Sequence, residues 1–161
     1  MTEATANFTV GVVLERRPAV TQWADVVWRA LAVLPGVPDL APGTKLGAND
    51  GGEQFFAGAF DVDLHRTDTP TYRDNLATSA PLVWVILRPN ESAMPHVAAV
   101  TVDPAEGEAY SETGTLQVES VPMPPEIAGV VAAFVAEHHV EREFIKRKRR
   151  RWADADSEDL A

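Results

Sequence analysis

The chain of 161 residues contains no cysteine. Its absence excludes disulfide staples, thiolate metal sites, iron–sulfur ligation and a cysteine nucleophile. Long apolar runs are missing too. The longest strongly apolar segment, Ile127 to Val135, falls well short of the roughly 20 residues that a membrane-spanning helix needs. The first residues, MTEATANFTV, lack a positive region followed by an apolar stretch, so no secretory signal is expected and the cytoplasm is the expected compartment. The motifs that announce hydrolysis or nucleotide binding are also absent: no G-x-S-x-G, no G-x-x-x-x-G-K-[ST], and no G-x-G-x-x-G after a strand.

What is present is ordinary globular composition, 45% hydrophobic and 24% charged, with a formal net charge of −10. The charge is unevenly placed. Residues 1–145 carry 8 basic and 20 acidic side chains, a net of −12, whereas residues 146–161 carry 6 basic and 4 acidic, a net of +2. The acidic body should repel nucleic acid and anionic lipid, while the basic tip can dock on an acidic surface. The expected organisation is a flexible N-terminus (1–7), a single domain (8–145) and a tail that is first basic, then acidic (146–161).

Periodicity places a half-buried strand at Phe8 to Leu14, ending at Pro18. Residues 22–34 fit both helical and strand spacing, and Leu31 to Leu34 before Pro35-Gly36 favours a strand for the second half. Val37 to Gly52, rich in glycine and proline, reads as a loop. Phe55 to His65 is a strand with one wet face, and Thr69-Pro70 starts a short helix with Thr69 as its cap. Leu82 to Leu87 is a central strand buried on both faces. Val97 to Val102 and Thr115 to Val121 are further strands, separated by a short helix begun at Asp103-Pro104. Ile127, Val130, Val131, Phe134 and Val135 mark the longest helix. Strands following strands with few helices predict an α+β fold: a curved, mixed or mainly antiparallel sheet of about six strands with short helical insertions, covered by a C-terminal helix.

The best small-ligand candidate is His65, Arg66, Tyr72 and Arg73, where two forked guanidinium groups near a helix start suit a phosphate or carboxylate. The competing reading has these cations capping the strand and pairing with Asp68 or Asp74. Arg16, Arg17 and Arg29 either form a second basic rim, or Glu15 pairs with Arg16 or Arg29 across neighbouring strands, and pairing is the better reading. His138 and His139 diverge by about 100° on a helix and lack the H-E-x-x-H order, so no metal site is expected there. Neither a catalytic constellation nor a cofactor is expected. Lys146, Arg147, Lys148, Arg149, Arg150 and Arg151, followed by Trp152, are the strongest compositional anomaly and suit protein docking better than nucleic-acid binding.

Several stretches occur together: Val12 to Pro18, Trp23, Trp28-Arg29, Ala32 to Gly36, Leu64-His65-Arg66 and Tyr72 to Leu76. With Val121 to Pro124, Phe134 to His139 and Phe144 to Lys148, they resemble an uncharacterised proteobacterial domain-of-unknown-function family over roughly residues 8–150. Members of that family are often encoded beside molybdenum-dependent formate dehydrogenases and their maturation factors. The resemblance therefore implies an accessory role, with a dehydrogenase subunit or maturation factor as protein partner. It implies no activity for any named residue.

Overall fold

The computed structural model describes residues 4–19, 26–90 and 93–138. Among the described residues, seven strands form two antiparallel sheets. The first sheet contains β1 (Ala6–Pro18), β2 (Val26–Leu34), β3 (Lys45–Asn49) and β4 (Gly52–Leu64), ordered β2-β1-β4-β3. A 3-10 turn (Arg66–Asp68) leads into α1 (Thr69–Leu76). The second sheet contains β5 (Leu82–Arg88), β6 (His96–Thr101) and β7 (Gln117–Pro122), ordered β6-β5-β7, with α2 (Pro104–Ser111) between β6 and β7. Helix α3 occupies residues 125–138.

The α+β class is as expected, but one sheet of about six strands is replaced by two sheets of four and three. The sheets adjoin where β2 lies against β7 and β4 against β6. At the first of these seams, side chains replace the main-chain ladder. Glu119 of β7 accepts from the Ala30 backbone N–H at 3.3 Å, and Gln117 Nε2 donates to the Trp28 carbonyl at 2.8 Å. These bonds occupy main-chain groups on an edge that would otherwise be open to pairing.

Two bulges interrupt the first sheet, each in a strand that pairs with β1. Opposite Val12-Val13 the extra residue is Ala57, next to Gly58 at φ 132°, which only glycine adopts readily. The run Val10 to Leu14 is buried throughout because β1 is covered on both faces: Val10, Val12 and Leu14 enter the main hydrophobic cluster, while Gly11 lies against Phe56 and Leu34. Opposite Val13-Leu14 the extra residue is Leu31, which is pushed into solvent.

The ambiguous segment is strand from Val26 to Leu34, with residues 20–25 outside the described set. Part of the expected loop is strand: β3 pairs with β4 through a two-residue turn in which Asp50 and Gly51 have φ of 45° and 82°. Two consecutive positive φ values are what a tight hairpin of this hand requires. Thr69 is not the α1 cap. That position falls to Asp68, with Pro70 in the first turn, and the Thr69 hydroxyl donates to the Arg66 carbonyl at 3.3 Å. The Asp103-Pro104 start holds, and Asp103 Oδ1 accepts from Ala105 N–H at 2.9 Å.

The two sheets share one hydrophobic cluster, to which α3 contributes Ile127, Val131, Phe134 and Val135. Their spacing is one helical stripe. Phe134 meets the Tyr72 ring of α1 edge-on at 6.1 Å. The helix thus enters a core shared by two sheets and α1, where the sequence suggested a lid over one sheet.

Candidate functional site

The chain from β4 to α1 places the four residues of the His/Arg/Tyr cluster close in sequence but gives them different environments. Tyr72 is 1% exposed, and its hydroxyl accepts the His65 backbone N–H at 2.9 Å. Burial pushes the phenol up to about 12. A ring in the core with its hydroxyl engaged by the main chain cannot reach a ligand, so Tyr72 is removed from the candidate set. Its role is to fix the β4–α1 corner. Arg66 and Arg73 are exposed and His65 is half-buried. The Arg66 backbone N–H donates to Thr5 Oγ1 at 3.0 Å, joining the corner to the start of the first sheet.

Carboxylates also surround this corner. Glu106 of α2 accepts from Thr101 Oγ1 at 3.1 Å, and desolvation raises its carboxyl above the ordinary range, helped by Asp103 and Asp68 and opposed by the Thr101 bond and His65. A raised carboxyl binds its proton more readily in the folded chain than in the unfolded one. The ionised group therefore costs stability at neutral pH, and that cost fades as pH falls through the raised value. Glu106→Gln, which keeps an acceptor for Thr101, should raise the melting temperature at pH 7 and lose that advantage near pH 4. Parallel thermal melts at the two pH values check it, and an equal gap at both would exclude the charge as cause.

The other cluster lies where the β1–β2 and β3–β4 ends meet. Arg16 stands opposite Trp28 on β2 and Glu53 on β4, so the three share one face. Its guanidinium bonds Glu53 at 2.5 Å and lies 5.2 Å from the Phe55 ring centroid and 5.7 Å from that of Trp28. Lys45 reaches the other Glu53 oxygen at 2.8 Å. Lys45 and then Arg16 hold the Glu53 carboxyl down at about 2. On the opposite face Glu15 accepts from Arg17 Nε at 2.7 Å and from Gln54 Nε2 at 3.2 Å, and these donors, Arg17 first, lower it against a burial cost. Arg29 pairs with Glu119 across the seam.

Arg16, Arg17 and Arg29 therefore all pair with carboxylates, as the pairing reading expects, though with partners other than the Glu15–Arg16 or Glu15–Arg29 pairs considered from sequence. The basic-rim alternative falls. Glu53 contributes stability above its unfolded carboxyl value, and the contribution is lost as pH falls toward about 2. Carboxyl NMR titration should find its midpoint moved upward by Lys45→Ala and by Arg16→Ala, further by the former. An unmoved midpoint in both variants would remove these cations as its cause.

His138 stacks on Phe134 at 4.4 Å and has Nε2 3.8 Å from Glu137. Among the described residues no group of histidines and carboxylates could hold a metal ion. No helix of the described residues is long and apolar enough to cross a membrane. His139 and the basic run Lys146 to Arg151 with Trp152 lie outside the described residues.

Sequence reasoning missed one surface feature. Val26 and Val27 are consecutive on β2 and so face opposite ways, yet they are 42% and 41% exposed. Leu31 at its bulge and Val37 and Leu40 beyond the strand are exposed as well. The apolar character of Val26 and Val27 was visible, but the missing cover was not.

These features define an α+β protein of two antiparallel sheets closed by side chains, with an ion-paired, partly uncovered end. The family model described as Protein of unknown function (DUF3305) matches residues 9–150, and the chain belongs to that family. No curated protein and no solved structure matches the chain.

Proposed function

We propose that this is a non-catalytic accessory protein of the cytoplasm that acts through protein contacts, in the assembly or regulation of a molybdenum-dependent formate dehydrogenase. The observation that supports contact is the start of β2, where Val26 and Val27 expose apolar surface on both faces of one strand. Single exposed apolar residues are normal, but here neither face of the strand end is covered and Arg17 stands opposite Val27, a setting that suits a partner's surface. Arginines and an aromatic pair adjoin this end, and such residues are enriched at interface centres. The choice of partner rests on the family resemblance. The basic run Lys146 to Arg151 with Trp152 supplies a second contact of opposite charge to the body.

The test is capture of the tagged full chain from native extract, followed by identification of what binds. A dehydrogenase subunit or maturation factor is expected, with recovery falling at least tenfold in Val26→Asp/Val27→Asp and in a variant with residues 146–151 reversed to glutamate. Each variant is first checked by circular dichroism for retained fold. Undiminished recovery with both folded variants would sink the assignment of these surfaces, and consistent absence of any such partner would sink the role. An anion or nucleotide-cofactor binder is disfavoured by the burial of Tyr72. Clear thermal stabilisation by phosphate or a nucleotide, lost in Arg66→Ala/Arg73→Ala, would reinstate it.

A further inference from the structure

No further inference is drawn: the strongest candidate, the cluster of Glu106 on α2 with Asp68 and Asp103, which precede α1 and α2, is a carboxylate cluster, and nothing in the structure shows what covers it.

Discussion

Replacing Asn75 with alanine is expected to destabilise the fold by on the order of 3 kcal/mol, lowering the melting temperature by about 9 °C. Asn75 is 4% exposed and spends its whole amide on main chain. Its Nδ2 donates to the carbonyls of Leu82 at 2.8 Å and Val102 at 3.0 Å, and its Oδ1 accepts from Leu82 N–H at 3.0 Å. One side chain thereby joins α1, the first residue of β5 and the residue that follows β6. Alanine improves helix propensity slightly but strands three polar groups that lost their partner, each costing about 1–3 kcal/mol when buried. Asn75→Asp is expected to be worse at neutral pH, because a carboxylate would face two carbonyls. Part of that loss should return on acidification, since a protonated acid can donate to one of them. Denaturant melts of both variants against the parent at pH 5 and 8 decide it, and a loss below 1 kcal/mol for Asn75→Ala would show that water satisfies these groups.

Gly107→Ala should also destabilise, by about 2 kcal/mol, although alanine is the better helix former by about 1 kcal/mol. A Cβ at this position would lie 2.7 Å from Trp84 Cγ and 2.8 Å from Cδ1. Trp84 belongs to the central strand β5, so the clash is with a large ring and not with the free end of a flexible chain. The glycine is needed for approach, not for a special φ. In a Trp84→Leu background the same alanine should be neutral or stabilising, and this reversal of sign in a double-mutant cycle is the decisive readout. A penalty that persists there would place its origin in the helix itself.

Asn75 and Gly107 also show where sequence reasoning reaches its limit. The pattern of apolar residues located β1, β4, β5, β6, β7 and α3, because each buries a stripe or face of regular period, while Thr69-Pro70 and Asp103-Pro104 marked the starts of α1 and α2. It could not reveal that Asn75, inside a short polar helix, would tie two strands together, because nothing local distinguishes it from a solvated asparagine. The two-sheet division escaped for a related reason: the seam depends on Gln117 and Glu119, two polar residues with no period, acting on a strand some 89 residues away. Strand β3, with the sequence KLGAN, has weak β-propensity, and only the Asp50-Gly51 pair after it marked a hairpin.

At the candidate sites, pairing of the arginines was legible in kind but not in partner, since Arg16 finds Glu53 across 37 residues and Arg29 finds Glu119 across 90. Tyr72 misled because its phenol suits either a ligand or a buried bond, and only the captured backbone N–H decides between them.

Each sheet is built from an unbroken stretch of chain, Ala6 to Leu64 and Leu82 to Pro122, while the core between them takes its last layer from α3. On a ribosome the first sheet can pair completely while Val10, Val12, Leu14 and Val62 still have nothing to pack against. Closure waits for the stripe from Ile127 to Val135, the last described apolar group to be synthesised. A nascent chain halted before residue 82 would thus display a finished ladder with a bare greasy side, and one halted before residue 125 would still lack the last layer of the core.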